Sequence, residues 1–276
     1  MKRLGLVLCL LAAPHQAWAG SPIRLLDLGA GGGYDDNLNN AFSADQREGS
    51  AFGSSWVTTG ASIPASQKVR LAVSGAYKGT YYADFDDLTV NALAVRSSGW
   101  LLVRDSTSVD LAASAGRRWY GDDDRNATVY DASLGFRERV TLRLAVTAGY
   151  RYTSHAAEES TFSSRANRFA VGAEFELVKN GWLGLGYAVE VGQSLFYQAA
   201  SVPIPSGGRG RRTSTTFGAN QVAFRADTTI QTLSASWDQR AFESVAVRVE
   251  YVHSFIAVDP GDAQNNVVWA SVAYRY

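Results

Sequence analysis

Two histidines beyond the first twenty residues, His155 and His253, are the chain's candidates for a general base. A histidine base and a serine nucleophile on one strand must stand two residues apart, because only positions i and i+2 share a face. His155 is followed by Ala156 and Ala157, and His253 by Ser254 and Phe255. The one serine is therefore on the wrong face, and the sequence offers no catalytic residues. Asp84, Asp86 and Asp87 supply clustered carboxylates, but no Asp-x-His follows to complete an acid–base set. Asp122-Asp123-Asp124 has the chemistry of a hard-cation site without the spacing of a calcium-binding loop. Both acidic runs read as solvated loops, with no metal and no cofactor implied. The most basic stretch, residues 207–212, holds Arg209, Arg211 and Arg212. An exposed loop is the default for it, and an inward-folded constriction is the alternative.

The remaining charges fall into a pattern with period two, which belongs to strands with two unlike faces. Residues 69–81 put Val69, Leu71, Val73 and Tyr77 on one face and Arg70, Ser74 and Lys78 on the other. The same alternation recurs at Leu144, Val146 and Tyr150 against Arg143 and Arg151, and at Val247, Val249 and Tyr251 against Arg248 and Glu250. Such segments cover about 23–34, 51–63, 69–82, 88–103, 109–120, 128–138, 141–153, 165–177, 182–197, 224–238, 245–257 and 267–276. In the fourth and tenth the phase is blurred. Most reach the roughly nine to eleven residues that a tilted strand needs to cross a bilayer.

The connections alternate too. Short ones at 64–68, 104–108, 139–140, 178–181 and 239–244 separate mostly longer ones at 35–50, 83–87, 121–127, 154–164, 198–223 and 258–266. Asn180-Gly181 suits a tight hairpin. Aromatics gather near the predicted outer strand ends (Tyr34, Tyr77, Tyr81, Trp119, Tyr130, Tyr150, Tyr152, Phe169, Tyr251, Phe255) and inner ends (Phe136, Phe175, Trp237, Tyr274, Tyr276). Two aromatic belts mark the two interfaces of a membrane. The fold expected is all-β: a transmembrane, antiparallel, up-and-down barrel of about twelve strands. It has short periplasmic turns and longer extracellular loops.

Residues 1–19 read as a cleaved signal peptide, and 20–276 as the barrel. Lys2 and Arg3 precede the apolar run 4–13, and Ala17-Trp18-Ala19 supplies a small-x-small cleavage site. Removing the leader takes away Cys9, the single cysteine, so no disulfide is expected. The whole chain balances 26 basic against 26 acidic side chains. That balance, without a basic block, excludes a nucleic-acid binder driven by phosphate neutralisation. Charged residues make up 19% and aromatics 12%, which argues against disorder. A soluble sandwich or propeller is the competing fold. The alternating loop lengths, the leader and the lack of a 40- to 50-residue repeat weigh against it.

On these phases the lumen receives Arg70, Lys78, Arg118, Arg137, Arg143, Arg151, Arg168, Arg248 and Arg275. It also receives Asp27, Asp110, Asp131, Glu174, Glu176, Glu190 and Glu250. The inventory is mixed in sign, so cross-strand pairing is expected. A twelve-stranded barrel has a backbone diameter of about 24 Å, which leaves an open or a filled lumen equally reasonable.

The closing segment resembles the carboxy-terminal signature of Gram-negative outer-membrane β-barrels, through Val268, Ala270, Val272, Tyr274 and the terminal aromatic Tyr276. The usual last residue there is phenylalanine. The resemblance implies an outer-membrane location. It also implies contact with outer-membrane lipid and lipopolysaccharide, and recognition of Val272, Tyr274 and Tyr276 by the barrel assembly machinery. Residues 31–39, Gly-Gly-Gly-Tyr-Asp-Asp-Asn-Leu-Asn, resemble the first strand and loop of some barrels linked to exopolysaccharide export or surface-protein assembly. The function expected is a porin-like passive channel for small polar solutes with a weak anion preference. A non-conducting export-associated barrel is the alternative, and a barrel enzyme acting on lipid the less favoured one.

Overall fold

The computed structural model describes residues 23–201, 208–258 and 261–276. The proposed leader lies outside them. Twelve long strands form a closed antiparallel barrel: β1 (Ile23–Asp35), β2 (Ser50–Pro64), β3 (Val69–Tyr82), β4 (Val90–Arg104), β5 (Thr107–Tyr120), β6 (Ala127–Arg139), β7 (Leu144–Ala157), β8 (Ser164–Val178), β9 (Gly181–Ala199), β11 (Gln221–Arg240), β12 (Val245–Val258) and β13 (Gly261–Arg275). A short strand, β10 (Arg209–Ser214), stands outside this count in the longest connection. The first strand closes the wall against the last, with Asp27 opposite Arg275 and Asp35 opposite Val267.

Alternation decides which side chain meets which medium. Leu71, Val73, Leu93, Val95, Leu111, Leu134, Val171, Leu185, Leu233, Val249 and Val268 all stand exposed on the outer wall. Such a wall is stable only against hydrocarbon. Near its outer rim the belt carries a repeated cross-strand contact. Tyr77 and Tyr81 donate to Asn91, Tyr150 to Asn167, and Tyr251 to Asn266, each through the phenol. The blurred fourth segment resolves with Leu93, Val95, Leu101 and Val103 outside, so Arg96 and Trp100 take the inner face.

Several strands outrun their sequence signal. The stretch 258–266 is not a long loop, because β13 already starts at Gly261 and pairs Gln264, Asn265 and Asn266 with Phe255, Ser254 and His253. Strand β7 continues to Ala157, and β11 begins at Gln221. Above the lipid a ladder needs backbone partners and no apolar face, so polar sequence hides it. Arg143 is also displaced from its expected place. It sits in the inner turn between β6 and β7, where Val140 N–H donates to Leu144 C=O, and not on a lumen-lining strand. The turn at 178–181 is Lys179-Asn180, with Asn180 at a φ of 62° and Gly181 opening β9.

The seam strand β1 owes its sequence to close packing. Its inward positions include Gly29, Gly31 and Gly33, and aromatic rings from β2 and β13 lie over them. A β-carbon on Gly29 would stand 2.3 Å from Cζ2 of Trp56, and one on Gly33 would stand 2.8 Å from Cζ of Phe52. The Trp56 and Trp269 rings approach to 6.2 Å. Their indole N–H groups donate to Asp27 (2.7 Å) and Glu250 (3.1 Å). One side of the lumen is therefore filled with aromatic rings bonded to acids.

Gly29→Ala should overpack this seam at a cost of about 1–3 kcal/mol. Gly75→Ala, with nothing within 4 Å of its β-carbon, should be near neutral. Urea unfolding of the two variants, followed by tryptophan fluorescence, checks the difference.

Candidate functional site

Most lumen acids already have partners. Glu174 pairs with Arg137 (2.5 Å), Glu190 with Arg168 (3.8 Å) and Asp27 with Arg275 (2.9 Å). Arg248 reaches both Glu250 (3.2 Å) and Asp238 (3.8 Å). Asp131 accepts from Thr153 (2.7 Å) and Ser114 (3.3 Å), and Glu176 from the N–H of Asn180 (3.2 Å).

Among the described acids expected in the lumen, Asp110 has no partner; it stands on β5 opposite Trp100, which is itself opposite Arg70, and the rest of what remains is cationic. Among the described residues, Arg70, Lys78, Arg96, Arg118 and Arg151 carry no ion pair, and all face inward from β3, β4, β5 and β7. Lys78 and Arg118 flank Ala92 in register, and Arg151 stands directly opposite Arg168. The lumen thus has a ring-filled side around the β12–β13–β1–β2 seam, while the unpaired cations on β3, β4, β5 and β7 stand among Asp110, Asp131 and the Arg137–Glu174 and Arg168–Glu190 pairs. Arg96 and Asp238 were missed in the sequence because their strands are the two whose alternation is blurred.

The outer mouth holds the larger departure from expectation. Strands β9 and β11 extend beyond their neighbours. The β8–β9 ladder ends at Ala166–Gly192, and β12 leaves β11 at Thr229–Ala257, yet β9 and β11 stay paired to Ala199–Gln221. This free hairpin crosses the mouth. Its connection reaches the β3–β4 loop on the opposite side of the barrel, where Thr216 donates to Asp87 (3.1 Å) and Phe217 packs edge-on to Phe85 (4.7 Å). The loop between β1 and β2 comes in from the seam. Its Asn39 C=O accepts from Tyr197 N–H, and its Asn40 donates to Leu195 C=O (2.8 Å).

Two apolar clusters result, one on each side of the hairpin. Phe196, Phe224, Ile256 and Val258 gather with Phe42, while Phe162, Tyr197, Phe217 and Ala223 gather with Leu38, Phe85 and Leu88. Phe196 and Phe224 are fully buried. The core of this protein lies in a cap over its outer mouth.

The basic loop and the acidic triad are parts of this cap. Arg212 pairs with Asp124 and with Glu159 (3.2 Å), which ties the connection to the β5–β6 and β7–β8 loops. Arg209 pairs with Asp227 (3.5 Å), and Arg211 donates to Ala200 C=O (3.5 Å). Arg212 is thus an inward clamp and not part of a freely exposed loop. Asp122 takes Arg125 (3.3 Å) and Asp123 takes Asn126 (3.0 Å), so each carboxylate of the triad has a protein partner. The Arg125 guanidinium lies 4.9 Å from the Phe162 ring and 5.3 Å from that of Tyr197, and donates to Thr216 (2.9 Å).

The two histidines fall at different places. His253 is on the outside near the rim. Its Nδ1 is 2.7 Å from Asn266 Oδ1, and Asn266 donates to Asp36 (2.6 Å). The position two residues on, where a nucleophile would share its face, holds the Phe255 ring at 4.3 Å. His155 faces inward, opposite Ser164 in register, and its buried Nε2 has no hydrogen-bond partner.

No protein-family model matches this chain, and no curated protein sequence does. Solved structures do. An outer membrane channel from Pseudomonas putida F1 aligns over 96% of this chain and 99% of its own length, with a TM-score of 0.65 and 8% identity. The translocator domain of the autotransporter NalP from Neisseria meningitidis aligns over 93% and 89%, with a TM-score of 0.50 and 12% identity. The KdgM porin in complex with disordered oligogalacturonate aligns over 91% and 99%, with a TM-score of 0.50 and 11% identity. The fold is that of the outer-membrane barrels. At such identities the likeness speaks for architecture alone, and it is shared by barrels that conduct and a barrel that serves translocation.

Removing the clamp should loosen the cap. Arg212→Ala should make residues 208–220 several-fold more sensitive to trypsin in intact cells. Hydrogen bonds from Thr161 N–H and the Ser160 hydroxyl, with Arg212 beside it, hold the Glu159 carboxyl below its ordinary value. A depressed value means that this contribution is complete above the unfolded carboxylate range, about pH 4.3, and is lost as pH falls through the folded value. Limited pepsin digestion should therefore show the cap opening in acid below about pH 4.

Proposed function

We propose that the chain is an outer-membrane channel for small polar solutes with a preference for anions. The observation that carries this reading is the unpaired cationic wall of Arg70, Lys78, Arg96, Arg118 and Arg151. Buried or lumenal cations left without acids are costly unless water or a passing anion compensates them, so their retention on one wall points to a wet path. The exposed apolar exterior supports a membrane-spanning path, and the alternation that leaves Val272, Tyr274 and Tyr276 outward at the end of the chain's last strand suits their reading by the assembly machinery. Lipid and lipopolysaccharide are the partners such a wall and rim would meet.

The cap favours a second reading, a closed barrel serving export or surface assembly. An anchored lid held by Arg212 and two aromatic clusters is what a non-conducting barrel would need. Current recordings separate the two. The folded protein in a planar bilayer under asymmetric salt should conduct with a reversal potential shifted toward that of the anion. Lys78→Gln, Arg96→Gln and Arg151→Gln together should reduce that shift at unchanged folding. A folded but silent barrel would favour the export reading.

A further inference from the structure

With the cap across the mouth, the barrel wall itself becomes the place to look for an entrance. Where β9 and β11 leave the wall, β8 and β12 have lost the strands between them. A cavity of about 890 Å³ occupies this notch. Its lining takes residues from both faces of the wall: Arg165, Asn167, Thr229 and Ala257 from the outside, His155 and Thr228 from the inside. Asn167 is also a member of the outer belt through Tyr150, so the notch opens at the level of the lipid headgroups.

Beneath the cap lies a second cavity of about 230 Å³, bounded by Arg118, Arg125, Arg225 and His155 with no carboxylate in its lining. His155, Ser163, Ser164, Gln193 and Arg225 line both cavities, so they form the threshold between them. Two of these carry unfilled hydrogen-bonding positions. The Nε2 of His155 and the Nε of Arg225 are both buried and have no partner, although Arg225 Nη1 donates to Ser160 and Ser163 carbonyls (3.1 and 2.8 Å). Arg118 has no ion pair and stands at the head of the basic wall. Arg125, by contrast, is already committed to Asp122. An orphaned guanidinium N–H beside an unpaired arginine is a receptor for an oxyanion.

We propose that this notch is the outer doorway of the lumen, and that the phosphate or carboxylate of an entering solute is received behind it by Arg118 and Arg225. The doorway rests on the channel reading and specifies its route: sideways through the wall, past His155, and down the basic wall below. The cap then has a purpose in keeping the axial path shut while leaving the lateral one.

Single cysteines test the route, because replacing Cys9 with serine leaves no other thiol. Gln193→Cys and Thr229→Cys place one at the notch, and Thr215→Cys places one on the cap. In planar bilayers of neutral phospholipid, a bulky neutral methanethiosulfonate should cut the current by more than half in the first two and leave Thr215→Cys unchanged. If only Thr215→Cys responds, the solute passes through the cap; the doorway is overturned and the channel reading stands. Folded protein that is silent in every variant overturns the channel reading and the doorway with it.

The anion site has its own readout. Inorganic phosphate added on the cap side should block the current, and Arg118→Gln and Arg225→Gln should each weaken the block about tenfold. Arg118→Gln leaves the hairpin's own hydrogen bonds intact, so it decides the matter if Arg225→Gln misfolds. If free phosphate is inert but phosphatidic acid added to the cap-side leaflet blocks wild type and not the variants, the anion received is the phosphate of a lipid headgroup. If neither blocks, the anion site is overturned.

Discussion

Inside a bilayer no water is on hand to satisfy a peptide N–H or C=O, and every other feature of this molecule is arranged around that constraint. It demands that the first strand find the last, so β1 and β13 must close without a gap. It also limits where strands can leave the wall. Strands β9 and β11 part from β8 and β12 only beside and above the ring of Tyr–Asn contacts, where polar surroundings return. The cap and the notch are both permitted by this height. A few residues lower, the same departure would leave unpaired backbone in hydrocarbon at several kcal/mol per group.

Within the wall, side chains divide the labour by quadrant. Around the seam, small residues on β1 let indole rings lie flat against the backbone, and the rings in turn hold Asp27 and Glu250 by their N–H groups. Acids engaged in this way are not available to the arginines on the far side. The mixed inventory of lumen charges is thus mostly paired, and the cations left without an acid gather on β3, β4, β5 and β7.

Much of this was legible in the sequence. Period-two alternation located all twelve long strands, since one face had to meet lipid. It failed where that demand lapses. Arg96 lies on a strand whose inner face also carries Ala92, Ala94 and Trp100, so polarity could not reveal the phase. The polar run 261–266 reads as loop although it is paired strand, and Arg143 borrows its phase from the strand it precedes. The cap could not be read at all. Leu38, Phe42, Phe85, Phe162 and Phe217 are isolated apolar residues in polar loops, and only the closure of the barrel brings them together. Arg212 looked like a free basic loop residue because its acids lie some fifty and ninety positions away.

The pairing of the two ends of the chain also bears on how the molecule is made. Leu26 and Tyr276 exchange both backbone hydrogen bonds and Asp27–Asp35 pair with Val267–Arg275, so the edge of β1 has no partner until β13 is in place. Assembly cannot finish progressively from the amino terminus, as it can in a helical bundle built from local contacts. A nascent copy must remain open-edged, and so prone to pair with the wrong strand, for the whole of its journey to the membrane.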